Sequence, residues 1–185
     1  MKVKIIKVTN YVITLIIIWS SFLVAQNEMF KQKEISRDSI LKAAQIIIDS
    51  SRCRVLITVD ENWIPHDREM SPFTPEEDMK IWLGTTTNSR KVKQIKNNPN
   101  VVVYYYDTEG LYYVTINGAA RLVNDQDKKE KYWVEDWKAF YPDRDKDYIL
   151  IEVTLDRLEV CSFEYKLFWN AGIPNSISFD SAEKK

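Results

Sequence analysis

The stretch Gly84-Thr85-Thr86-Thr87-Asn88-Ser89-Arg90-Lys91 marks where the hydrophobic period of this chain changes. Met79-Lys80-Ile81-Trp82-Leu83, before it, leads as an apolar strand into the hydroxyl residues. Asn88 or Ser89 can then cap a short helix from Arg90 to Ile95, and Asn97-Asn98-Pro99 stops it. Val101 to Tyr106 resumes as a strand whose only polar side-chain atoms are tyrosine hydroxyls. Arg90 and Lys91 fall in the first helical turn, where backbone amides are unpaired and point outward. Cations oppose the helix dipole there, and a bound anion removes that penalty. Amides and cations together make a site for a dianion such as phosphate. A capped surface helix with solvated charges fits the same residues equally well.

Outward from this switch the chain reads as strands with few helices. Ser36 or Asp38 caps a helix to about Ser50, with Ile40, Leu41, Ala44, Ile47 and Ile48 on one face. Arg54 to Val59 is a β-branched strand, Asp60-Glu61-Asn62 a turn, and Ile64 to Met70 a returning strand. Pro72 and Pro75 make 71–78 a loop, and Met79 to Thr85 is the third strand. Leu111 to Val123 is a long fifth strand. One helix follows, with Asp125 and Asp127 at its start and Trp133, Trp137 and Phe140 at helical spacing, and Pro142 ends it. Tyr148 to Val160 is the sixth strand, bent near Asp156, and the tail from Asn170 is polar and frayed. Strands one to three lie too close in sequence for helical crossovers, so they should pair antiparallel. The expected class is mainly β with helices (α+β): six antiparallel strands closing into a small barrel.

The N-terminus is of different composition. Lys2, Lys4 and Lys7 precede an uncharged run from Val8 to Gln26, with small residues Ser20, Ser21 and Ala25 at its end. This is the pattern of a secretory signal peptide over 1–26, followed by a leader over 27–37. Tyr11 to Ala25 is shorter than the roughly 20 residues a bilayer span needs, so cleavage and no stable membrane span are expected. The expected destination is the periplasm or the medium. Paired arginines, the mark of export for folded cargo, do not precede Val8, which points to an export route for unfolded chains. Outside the cytoplasm Cys53 and Cys161 are able to pair, but unpaired thiols are the expectation, and sequence leaves their separation open.

Composition removes whole classes. The 185 residues hold four glycines, none close enough to another for a phosphate-cradling glycine loop. One histidine and two cysteines are too few for a His/Cys zinc site, and no metal is expected. A Ser-His-Asp hydrolase would have to use His66. Net charge is −1, and losing three lysines with the signal peptide takes it to −4, which argues against nucleic acid.

Other residues carry weaker signals. On a strand, His66, Arg68 and Met70 share one face, and a pairing of strands two and three would bring Arg68 toward the anion held by Lys91. Taken alone, Arg68 is better read as a surface partner of Asp67 or Glu69. Tyr104, Tyr105 and Tyr106 point to both faces of their strand and suit core packing, a flat ligand or a second protomer. Trp133 and Trp137 suit a core. Trp63 occupies a hairpin position where a small polar residue is usual and is expected at an exposed rim.

Together these pieces resemble the pyridoxamine 5'-phosphate oxidase-like family, in its general-stress-protein type of FMN-binding split barrel. The resemblance rests on Ser89 to Pro99 before a hydrophobic strand and on Pro65 to Phe73. It rests also on Trp82 to Thr85, on Tyr113 to Leu122 with Gly118-Ala119-Ala120, and on Phe140-Tyr141-Pro142-Asp143. It covers roughly Asp38 to Ser162, which sets the expected domain at 38–162 with a C-terminal tail over 163–185.

The resemblance implies a six-stranded antiparallel split barrel that forms a homodimer with one FMN per protomer at the interface. It implies that Arg90 and Lys91, beside Ser89, bind the flavin phosphate. Arg68, Met70 and Ser71 would run beside the ring and ribityl chain, and Thr85 and Thr86 would hydrogen-bond to the cofactor. Tyr113 lies near the position where the true oxidase carries a glutamine that touches flavin, and Trp133 or Trp137 would approach the ring from the partner. Glu69 departs from the small or apolar residue common there. No arginine-histidine segment follows the sixth strand, so vitamin B6 oxidation is not the expected activity. The resemblance thus implies hydride or electron transfer at a flavin with no evident catalytic acid or base, or a non-catalytic protein that sequesters flavin or haem under stress. FAD, deazaflavin and haem are the alternative cofactors, and the substrate is a small molecule of unspecified class.

Overall fold

The computed structural model describes residues 35–51, 53–76, 79–107, 112–165, 167 and 175–179. The expected signal peptide and most of the leader lie outside them. Helix α1, Arg37–Ser50, has Asp38 in its first turn and buries Ile40, Ala43, Ala44, Ile47 and Ile48 along one stripe. The strands are β1 (Cys53–Val59), β2 (Pro65–Glu69), β3 (Ile81–Thr86), β4 (Asn100–Asp107), β5 (Tyr112–Val123), β6 (Tyr148–Cys161) and β7 (Asn175–Ser178). Their order is β2-β1-β4-β5-β6-β3, every pairing antiparallel, with β7 added to β6. Inward-facing Leu56, Leu83, Ile116, Leu150 and Leu158 are fully buried, each contributing about 1.5–3 kcal/mol of hydrophobic stabilisation.

The pairing expected among the first three strands holds only for β1 with β2. β3 pairs with β6 instead, from Ile81 opposite Val153 to Thr86 opposite Tyr148. Residues 70–80 carry the chain away from β2, because Pro72 and Pro75 cannot donate to a returning ladder. β2 and β3 therefore end the sheet at opposite edges. A single bridge between Pro72 and Leu83 and the Phe73 N–H to Trp82 carbonyl bond (3.0 Å) join the segment after β2 to β3.

The expected bend in β6 is a break in register. Asn117 pairs with Arg157 and Gly118 with Leu155, so Asp156 has no opposite residue. Gly118 is required there: a Cβ would lie 2.2 Å from the Thr154 carbonyl oxygen. A Gly118→Ala substitution is expected to lower stability by about 1–3 kcal/mol, measured as a fall in the urea midpoint.

Two sequence expectations fail by tertiary override. The single helix expected after β5 is three short pieces: α3 (Gln126–Lys131), a 3-10 turn (Glu135–Ala139) and α4 (Arg144–Asp147). Tyr132 leaves the helix to stack on Trp82, with ring centroids 4.8 Å apart, while Trp133 and Trp137 pack on Tyr148. One continuous helical face cannot serve both contacts, and Phe140 is left exposed. The tail expected to fray supplies β7, which buries Ile177 opposite Leu158, and Arg37 donates to the Ser178 carbonyl oxygen.

Cys53 and Cys161 are unpaired. They occupy one cross-strand row, Cys53–Tyr106–Tyr113–Cys161. Three inter-strand spacings are roughly 14 Å, far beyond the reach of a disulfide.

Glu76 ties the loop between β2 and β3 to the aromatic cluster. Its carboxylate accepts from Lys131 Nζ and from the Tyr132 hydroxyl, both at 2.6 Å. Those bonds, Lys131 first, hold its pKa down to about 2. A depressed carboxylate stabilises the fold above its ordinary pKa of 4.5, and that contribution disappears as pH falls from there toward 2. Glu76→Gln is expected to flatten the stability profile over that range, as followed by thermal unfolding in a pH series.

Candidate functional site

Helix α2, Arg90–Asn97, starts four residues after β3 and buries Val92, Gln94 and Ile95. Ser89 holds the N-cap position but makes no capping bond, contrary to expectation; its hydroxyl turns to Thr85 Oγ1 at 3.4 Å. The amides of Arg90 and Lys91 are consequently left without a backbone acceptor among the described residues.

Arg68 reaches this helix by a route other than the expected β2–β3 pairing. It lies opposite Leu56 on β1, and its guanidinium passes under α2. It donates to Thr58 Oγ1 (2.7 Å), the Leu56 carbonyl oxygen (3.1 Å) and Gln94 Oε1 (3.2 Å). Thr58 also donates to Gln94 Oε1, at 2.6 Å. Lys91 Nζ donates to Thr85 Oγ1 at 2.9 Å, and Thr85 is buried.

Three cations thus converge from β2 and α2. Among the described residues none of Arg68, Arg90 and Lys91 hydrogen-bonds to or ion-pairs with a carboxylate. Burial lowers the Lys91 pKa, and Arg68 and Arg90 push it the same way. Arg68 is lowered by burial and then by Arg90, with Asp67 opposing. A concentration of uncompensated positive charge beside open amides is an arrangement an oxyanion relieves.

The remaining sequence candidates divide. Ser71, exposed, and Met70, half-buried, follow β2, and the Met70 N–H donates to the Arg54 carbonyl oxygen. Thr86 ends β3, and its carbonyl oxygen accepts from the Ser89 N–H. Arg68, Met70, Ser71, Thr85, Thr86, Ser89, Arg90 and Lys91 therefore belong to one edge region of one chain. Tyr113 does not. Thr85 pairs with Ile149 and Tyr113 with Cys161, at opposite ends of β6, roughly 40 Å apart along the strand. Tyr113 instead packs tilted against Tyr104, ring centroids 5.6 Å apart, and Tyr104 stacks with Tyr106, on a half-exposed face. Trp133 and Trp137 pack within their own chain, as the aromatic cluster requires.

Sequence reasoning missed Thr58 and Gln94. Their signal was present but faint: a polar residue at an inward position of each apolar pattern. Trp63 stands exposed at the hairpin tip, as expected, with φ of 64°. His66 is half-buried and its Nε2 lies 2.9 Å from Asp60 Oδ2.

An antiparallel split barrel defines the class of fold, and comparison with known proteins agrees. Residues 38–167 match the family described as pyridoxamine 5'-phosphate oxidase like, and the chain belongs to that family. It is 28% identical over 137 residues to general stress protein 26 of Bacillus subtilis (strain 168), covering 72% of this chain and 91% of that one. The crystal structure of general stress protein 26 from Bacillus anthracis str. Sterne is similar, at TM-score 0.57 and 28% identity, covering 77% of this chain and 97% of that one. A heme binding protein from Mycobacterium smegmatis shares the fold at TM-score 0.58 and 14% identity, covering 78% of this chain and 60% of that one.

Replacing Lys91 by Met removes a half-buried charge held beside two others. Without ligand, Lys91→Met is expected to raise the melting temperature by roughly 2–4 °C. Inorganic phosphate should stabilise the wild type and leave the variant nearly unchanged, as seen in paired thermal melts.

Proposed function

We propose that this chain is an exported, homodimeric FMN-binding redox protein. The observation that carries the reading is the set Arg68, Arg90 and Lys91 at the open first turn of α2, with no hydrogen bond or ion pair to a carboxylate among the described residues. A terminal phosphate fits that set in charge and in donor geometry. Family membership supports a flavin as the bearer of the phosphate. Bound flavin supplies the hydride- or electron-accepting chemistry. The chain's own residues bind and orient: Arg90 and Lys91 hold the phosphate, and Arg68 is kept in place by Thr58 and Gln94. Met70 and Ser71 lie alongside, and Thr85 and Thr86 close the β3 side.

The position of Tyr113 supports dimerisation. At its end of β6 it cannot reach a flavin held by Arg90 of its own chain, but it can meet one held by a partner. Val55, Ile57, Val102, Tyr104 and Tyr106 beside it are half-exposed apolar residues of one sheet face, suited to cover by a second copy. Haem is disfavoured: the one imidazole, His66, is engaged by Asp60.

Purified mature protein should bind FMN with quenching of flavin fluorescence. Arg90→Ala with Lys91→Ala should weaken that binding on the order of a hundredfold or more, since two charge-assisted contacts are lost. A colourless protein that does not titrate with FMN, or equal affinity in the double variant, overturns the reading. Stopped-flow reduction by NADH or NADPH separates turnover from sequestration, and the N-terminal sequence of protein from the cell envelope tests export.

A further inference from the structure

A second concavity, of about 200 Å³, lies on the flank of α2 beyond the cation cluster. The turn residues Asp60 and Glu61, His66 of β2, and the Arg90, Gln94 and Asn97 face of α2 line it. Its acids are already engaged. Asp60 Oδ2 meets His66 Nε2 at 2.9 Å, and Asp60 Oδ1 accepts from the amides of Asn62 (2.8 Å) and Ile64 (3.0 Å). Glu61 faces Lys93 at 3.9 Å.

Its donors are not. Gln94 is 4% exposed, and Thr58 and Arg68 both donate to its Oε1, which fixes the orientation of the amide. Its Nε2 is buried and has no hydrogen-bond partner among the described residues. Arg90 makes no hydrogen bond or ion pair among the described residues, and it lines this cleft as well as the cation cluster. A buried NH2 fixed in direction, beside a free guanidinium, asks for an oxygen acceptor. Along the chain, His66 and Met70-Ser71 lie on opposite sides of Arg68. A flavin lying along Met70-Ser71, with its phosphate at Arg68, Arg90 and Lys91, leaves this cleft open on the far side of the phosphate.

We propose that the cleft is a second oxyanion subsite, joined to the phosphate grip through Arg90 and completed by Gln94 Nε2. The inference rests on the flavin reading and deepens it. Its occupant is either the outer phosphate of a diphosphate-linked flavin or the oxyanion of a separate small ligand placed next to a monophosphate flavin.

Gln94→Glu separates the roles of the side chain, because it keeps an acceptor for Thr58 and Arg68 and replaces the free NH2 by oxygen. The measurements are FMN and FAD affinities of wild type and variant, and the 15N chemical shift of the Gln94 side-chain amide. If the diphosphate is the occupant, FAD binds at least as tightly as FMN, and Gln94→Glu lowers the FAD-to-FMN affinity ratio at least tenfold. If a separate oxyanion is the occupant, inorganic phosphate added to FMN-loaded protein shifts the Gln94 amide, and FAD holds no advantage. FMN binding with neither FAD preference nor an amide response to phosphate overturns the subsite while sparing the flavin reading. Absence of FMN binding defeats the flavin reading itself. In that case the response of the Gln94 amide to pyrophosphate on the protein alone still decides the subsite: a shift supports it and silence removes it.

Discussion

The amide oxygen of Gln94 is the point on which the functional edge of this barrel depends. It accepts from Thr58 on β1 and from Arg68 on β2, and so ties α2 to the first hairpin at a place no main-chain ladder reaches. The gap exists because β2 and β3 do not pair. Two prolines send the intervening chain across the barrel, and β3 finds β6 instead. The knot then holds a guanidinium close to two further cations. The electrostatic strain of that arrangement is local, sustained by a buried neutral network rather than by carboxylates.

The rest of the fold serves to keep that edge in place. β3 is anchored along its whole length to β6, and the Thr87 amide and hydroxyl are fastened to the carbonyls of Asp147 and Lys146. The aromatic cluster around Trp82 and Tyr148 fills the space beside β3, with Gly84 leaving room for Trp137 and Tyr148. Glu76 closes the loop over that cluster from outside. Stability and the geometry of the α2 start are therefore linked through β3, so damage to the cluster is felt at Thr85.

Much of the site was legible before any fold was known. Hydroxyl residues ending a strand, followed by two cations opening a helix, are a local statement about charge and unpaired amides, and such statements survive folding. Thr85, Ser89, Arg90 and Lys91 fall together for that reason. Arg68 was only partly legible: taken alone it read better as a surface partner of Asp67 or Glu69. The physical route first considered for it, a β2–β3 pairing, is not the one the chain takes. Gln94 was illegible, because an isolated glutamine on a charged helix resembles a solvated residue until the helix is docked. Tyr113 illustrates the converse: a proximity implied by family pattern is not met within one chain, because Tyr113 and Thr85 pair with opposite ends of β6.

By itself the sequence determined the strands and the helix-opening cations, properties set by residue type over a few positions. Only the tertiary structure decided which strands meet, that Trp133, Trp137 and Phe140 do not share one continuous helix, and that Ile177 brings the polar tail back as a strand. It also decided that Thr58 and Gln94 complete the site. These are long-range choices, set by packing that must fill one shared interior, and no local period records them.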